Sequence, residues 1–181
     1  MNQKSHAWHV FPLLAAVALF SLAGIATAQD PVPAKPKVKP RLSSEAQLAK
    51  GEINFDDLQF DIEKDAPFKK SMWTDRLKKI NGKNVKLRGY ILPSTLFHET
   101  DIKEFILVRD NQECCFGPGA ALYDCVAIKM VPGETTDFTT RPVTVEGKFV
   151  LDAESYRYPE GMAPNGQTHM AIFRIDGKSV E

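Results

Sequence analysis

The chain has 181 residues, 43% of them hydrophobic, with 23 basic and 23 acidic side chains. That balance excludes a general nucleic-acid binder, which would carry a strong basic excess. Once an export signal is set aside, the length suits one domain with a modest core.

The N-terminus reads as a secretory signal. Lys4 supplies positive charge, an apolar stretch runs from Pro12 to Ile25, and Ala26-Thr27-Ala28 fits a small-residue cleavage site. Residues 1–28 are therefore assigned to a signal peptide. The apolar run falls short of the roughly 20 residues of a membrane span. The mature chain is expected to start at Gln29, to hold no membrane span, and to be soluble in the periplasm. No cysteine lies near the cleavage site, which argues against a lipid anchor.

Residues 29–50 read as a tether. Pro31, Pro33, Pro36 and Pro40 alternate with Lys35, Lys37 and Lys39, and such a segment lacks the apolar mass to fold. Residues 51–181 are expected to form a single domain. Ile53-Asn54-Phe55 opens it, and Phe55, Leu58, Phe60 and Ile62 suggest a short strand or a strap. From Pro67 to Ile80 the pattern turns helical, with Phe68, Met72, Leu77 and Ile80 on one face, and Asn81-Gly82 stops it.

Five strand-like runs follow: Val85 to Leu92, Phe105 to Val108, Val126 to Met130, Val143 to Leu151 and Met170 to Ile175. Apolar residues alternate along them with period two, rich in β-branched and aromatic types. Gly89 and Gly147 fall in the inward series of the first and fourth runs, where glycine permits the coiling of a small closed barrel. Mainly β, five strands after a short helix, predicts a five-stranded Greek-key barrel of the OB type. An SH3-like barrel or open sandwich is the runner-up. The helix usual between strands three and four is not visible, and residues 131–141 read as a loop.

Chemistry concentrates in three cysteines. Cys114 and Cys115 are adjacent in a run ending Phe116-Gly117-Pro118-Gly119, and Cys125 follows. An odd thiol count in an oxidising compartment leaves at least one sulfur free, metal-bound or bonded elsewhere. In an OB barrel the loop between strands two and three shares an end with the loop between four and five. His169 can then reach the cysteines, while His98 belongs to the other end. Thiolates with an imidazole suit zinc or copper, so Cys114, Cys115, Cys125 and His169 are the candidate metal ligands. A disulfide from Cys125 to Cys115 or Cys114 competes with this, and would contribute about 3 kcal/mol by chain entropy. A strained Cys114–Cys115 bridge would be a redox device. Tyr156, Tyr158, Met162 and Pro164 make the loop before the fifth run a candidate rim for a partner or a lid. Trp73 reads as core. No Ser-His-Asp order, motif-placed carboxylate pair or phosphate loop is present, so no catalytic constellation is recognised.

Phe55-Asp56-Asp57-Leu58, Gly89-Tyr90-Ile91-Leu92-Pro93, Phe105-Ile106-Leu107-Val108 and Glu113-Cys114-Cys115-Phe116-Gly117-Pro118 together resemble a family of exported bacterial proteins of unknown function. The likeness spans roughly residues 52–150. It implies a single periplasmic or lipid-anchored domain, some of whose relatives accompany transporter components linked to zinc supply. This chain departs from the anchored members in lacking a lipidation cysteine. The expectation is a non-catalytic accessory protein handling zinc or copper alongside an envelope or transporter protein. The alternative is an envelope interaction module whose cysteines form a structural disulfide.

Overall fold

The computed structural model describes residues 39–62, 66–110, 121–162 and 168–181. The expected signal peptide, most of the expected tether, and the Cys114–Cys115 run lie outside the described residues. Among the described residues, no helix is long and apolar enough to cross a membrane.

The strands are β1 (Glu52–Ile53), β2 (Asn84–Ile91), β3 (Glu104–Val108), β4 (Cys125–Met130), β5 (Val143–Leu151) and β6 (Phe173–Val180). β2 pairs antiparallel with β3 and β3 with β4, β4 runs parallel to β6, and β6 pairs antiparallel with β5. β5 then closes onto β2, from Asn84 opposite Lys148 to Gly89 opposite Val143. This is the expected five-stranded barrel, closed in OB order. β1 lies outside it, parallel to β2.

Alternation builds the barrel as the sequence predicts. Val85, Leu87, Gly89 and Ile91 of β2 and Val143, Val145, Gly147 and Phe149 of β5 are buried, while Lys86, Arg88 and Lys148 face water. Phe105, Phe149 and Phe173 fill the interior, each burying a side chain that contributes about 1.5–3 kcal/mol. The two strand glycines are required by close approach. A Cβ on Gly147 would stand 2.2 Å from the Asp176 carbonyl oxygen, and one on Gly89 would stand 2.6 Å from that of Val108.

Three expectations shift. The fifth run does not start at Met170, because β6 begins at Phe173. Ala171, Ile172 and Phe173 are all fully buried, so the approach to β6 does not alternate between a wet and a dry face. The helix expected over Pro67 to Ile80 is broken into a 3-10 turn at Lys70–Met72 and α2 (Asp75–Ile80). Trp73 is extended, and Thr74 caps α2 by accepting from the Leu77 amide at 3.3 Å. Finally, the end of the expected tether is ordered. α1 (Glu45–Ala49) starts at a Ser44–Gln47 capping box and buries Leu48.

That early segment is fastened to α2 through Asp57, whose side chain is fully buried. Its carboxylate accepts from Ser43 Oγ at 2.6 Å, the Ser43 amide at 2.9 Å, the Asn54 amide at 2.8 Å and Arg76 Nε at 2.8 Å. A buried carboxylate is tolerated only with such saturation. Downstream, the expected strap takes the form of a 3-10 turn at Phe55–Leu58, and Phe60 meets Phe68, Tyr123 and Phe173 edge-on. The 131–141 stretch is a loop, as expected, joined to the β2–β3 connection by an Ile102–Thr136 bridge.

Candidate functional site: the cysteine-bearing end of the barrel

β3 ends at Val108 and β4 begins at Cys125, opposite each other in register. Their connection carries Cys114 and Cys115, which lie outside the described residues, so the structure locates the stem of this connection and one of its three sulfurs. Three residues outside the sequence-predicted set hold that stem. Arg109 Nε donates to Asp124 Oδ1 at 2.5 Å, and Arg109 Nη1 donates to Asp56 Oδ1 at 2.5 Å. The guanidinium also lies over the Phe55 ring, 5.7 Å from its centroid. Partial burial opposes ionisation of Asp56, but bonds from Arg109 and the Arg41 amide outweigh it and hold the carboxyl below its usual range. No motif marks Arg109, Asp56 and Asp124. Only the barrel register makes them neighbours.

Cys125 is buried in a small apolar cluster with Ile106, Val108, Ala127 and Ala171. This cluster is separate from the main core, which takes the alternate residues Val126, Ile128 and Met130 of β4. Tyr90, Leu92 and Tyr156 pack against it. Tyr156 is anchored by donating to Glu104 at 2.7 Å; burial, and then the Glu104 carboxylate, push its hydroxyl well above the usual range. Burial, and then charge at Cys125, raise the Tyr158 hydroxyl as well.

His169 does sit on the β5–β6 connection, in an antiparallel bridge with Arg157. The residue is 4% exposed, and its ring stands edge-on to Phe68 at 5.5 Å. Nε2 lies 2.9 Å from the Ala153 carbonyl, which can only accept, so Nε2 carries the proton. Nδ1 then accepts from the Thr168 hydroxyl at 2.6 Å. Both nitrogens are engaged, so in this arrangement His169 has no lone pair to give a metal. Among the described residues, no three His, Cys, Asp or Glu side chains come close enough to hold an ion. Of the four residues expected as ligands, Cys125 stands at the stem of the connection, His169 bonds Thr168 and Ala153 on the neighbouring one, and Cys114 and Cys115 lie outside the described residues.

The aromatic loop before β6 is tied down at its start. Asp152 accepts from the Ser155 hydroxyl at 2.7 Å and pairs with Arg174. Trp73 is partly buried against the core, as expected, and its buried Nε1 has no hydrogen-bond partner among the described residues. His98 is exposed on the β2–β3 connection, at the opposite end of β3 from Arg109.

A family described as "Protein of unknown function (DUF3299)" matches residues 30–168. No curated protein matches the chain. Among solved structures, the crystal structure of a DUF3299 family protein from Pseudomonas aeruginosa is similar at 26% identity with a TM-score of 0.41. The match covers 57% of this chain and 62% of that one, less than two thirds of its length.

Proposed function

This chain belongs to the DUF3299 family, and we propose that it is an exported, periplasmic, non-catalytic accessory domain that binds a soft transition metal, zinc or copper, through sulfur. The observation that carries this reading is the place of Cys125. It opens β4 directly at the stem of the connection bearing Cys114 and Cys115. The stem is fixed by the Arg109–Asp124 and Arg109–Asp56 pairs. Both His169 nitrogens have hydrogen-bond partners, which supports a donor set of sulfur alone. An all-sulfur set favours copper(I) or zinc over harder cations. The metal, when bound, would be held by thiolates of Cys114, Cys115 and Cys125. A transporter component of the envelope is the natural recipient of such cargo.

Metal content of the mature protein, reconstituted under reducing conditions and freed of excess ion, tests this. About one equivalent of zinc or copper(I) is expected, falling steeply in Cys125→Ser. Content below about a tenth of an equivalent after reconstitution overturns it.

One observation favours a second reading. Cys125 is only 9% exposed and packs among aliphatic side chains, an environment that suits a structural disulfide of an envelope interaction module. Mass mapping without reductant, on protein taken directly from cells, separates the two. A stable Cys115–Cys125 or Cys114–Cys125 bridge supports the second reading and counts against the first.

A further inference from the structure

At the barrel end opposite the cysteines, the β2–β3 connection presents Phe97 with 97% of its surface exposed. Beside it lies a half-open groove of about 240 Å³, lined by Pro93, Leu96, Phe97, His98, Glu99 and Phe138. Burying a phenylalanine is ordinarily favourable by about 1.5–3 kcal/mol, so a side chain held wholly in water beside an apolar-lined groove can gain by docking a partner.

The groove is built on a fixed frame. The Ile102 amide donates to the Thr136 carbonyl at 2.8 Å, and the Phe138 amide to that of Glu99 at 2.7 Å. The Asp101 amide donates to Asp137 Oδ1 at 3.1 Å, and Asp101 itself takes a positive φ of 52°. A non-glycine residue held in the left-handed region costs free energy that the surrounding bonds must offset. The connection that lifts Phe97 out is thus held against the 131–141 loop, and a pre-set surface lowers the entropic cost of binding.

The rim has a sign. Glu99, Asp101, Glu134 and Asp137 are exposed on these two facing loops. Many carboxylates elsewhere are matched: Glu45, Asp56, Asp57, Asp75, Asp124, Glu146, Asp152, Glu154 and Asp176 each pair with a lysine or arginine. Among the described residues no such pair involves the four rim acids. Lys103 and Arg141 lie on the same loops and leave the rim net negative. Such a rim repels phosphates and attracts cations. The groove is smaller than the roughly 300–1,000 Å³ of small-molecule pockets, and takes one apolar side chain rather than a whole ligand.

We propose that this groove docks an extended segment of a partner protein in which an apolar side chain is flanked by lysine or arginine. Phe97, Leu96 and Phe138 take the apolar side chain, and the rim carboxylates take the flanking cations. The surface is independent of the sulfur site, since the two connections leave opposite ends of β3.

Random dodecapeptides displayed on phage can be selected on the full mature chain and counter-selected on Phe97→Ser. Phe97 is solvent-exposed, so that variant should keep the parent's circular dichroism and denaturation midpoint. The expected consensus is an apolar residue flanked by Lys or Arg. The resynthesised peptide should bind about tenfold more weakly to Phe97→Ser. Binding should also weaken in Glu99→Lys and with rising salt. No enrichment over Phe97→Ser, or an acidic or uncharged consensus, overturns the proposal. So does a consensus peptide indifferent to both substitutions. Copies of this chain or glycans binding in a Phe97-dependent way, with no basic consensus, would assign the groove to those occupants instead.

Discussion

Arg109 and Asp124 close the β3–β4 connection twice. The Arg109 amide donates to the Asp124 carbonyl at 3.2 Å, and its Nε donates to the Asp124 carboxylate at 2.5 Å. Nη1 reaches Asp56 at the same distance, so one guanidinium serves two carboxylates whose side chains are 19% and 10% exposed. Arg109→Leu leaves both acids without a cation in a partly desolvated place, and should cost about 3 kcal/mol by urea denaturation. Arg109→Lys keeps the charge but loses the fork, and should recover less than half of that. A loss below about 0.5 kcal/mol in Arg109→Leu would mean that the pair is solvent-screened and holds nothing.

His169 offers a sharper separation of structure from ligation. Removing its ring takes away the bond to Ala153, the bond from Thr168 and the contact with Phe68. His169→Ala should therefore lower stability by about 2–4 kcal/mol. Metal stoichiometry measured on the folded variant should stay at the parent's value. A loss of metal with stability retained would show that His169 changes partners and ligates.

The sequence made the barrel legible because its inward series is unbroken along most strands. Val143, Val145, Phe149 and Leu151 mark β5 to the residue, and Val126, Ile128 and Met130 mark all but the first residue of β4. β6 was displaced because Ala171, Ile172 and Phe173 are buried on different sides of the sheet, which destroys period two. α1 has one buried residue, Leu48, too few for a helical stripe, although Ser44-x-x-Gln47 was a readable capping box. Site geometry was less legible. Topology puts Cys125 and the His169 connection at one end, but which neighbour each side chain meets depends on register and on loop bonds. Arg109, Asp56 and Asp124 come from three distant stretches, and no local spacing announces them.

Gly147 tests the closure of the barrel. It sits at the β5–β6 irregularity between Glu146 and Gly147, where Gly147 faces Gly177 in register. An added Cβ would meet the Asp176 carbonyl oxygen at 2.2 Å and the Ile175 side chain at 2.7 Å. The first of these is backbone and cannot swing away. Gly147→Ala should destabilise by about 3 kcal/mol or more, at the upper end for overpacking. Gly133→Ala, where nothing stands near the added atom but φ is +94°, should cost only about 1 kcal/mol. Equal denaturation midpoints for the two variants would refute the close approach at β5–β6.

Stability should fall at both ends of the pH range, for different residues. Asp152 is held below the usual carboxylate range: burial opposes its ionisation, but bonds from the Ser155 amide and hydroxyl and the Glu154 amide, with Arg174 nearby, outweigh it. Asp56 shifts the same way. A depressed folded-state pKa gives stability that is full above the unfolded value of about 3.9 and lost as pH drops through the folded value. The stability curve should be flat from neutral pH to about 5 as far as these two acids are concerned, and steepen below about 4. Asp152→Asn should be less stable at pH 7 and lose less on acidification. Tyr156 and Tyr158 act at the other end, because their folded values are raised. Their contribution is full below the unfolded value of about 10 and lost as pH rises through the folded values. Tyr156→Phe should shallow that alkaline fall and leave the acid limb unchanged. Urea midpoints across the pH range, measured on the parent and both variants, check each sign. An acid limb that is as steep in Asp152→Asn as in the parent would remove Asp152 from the account.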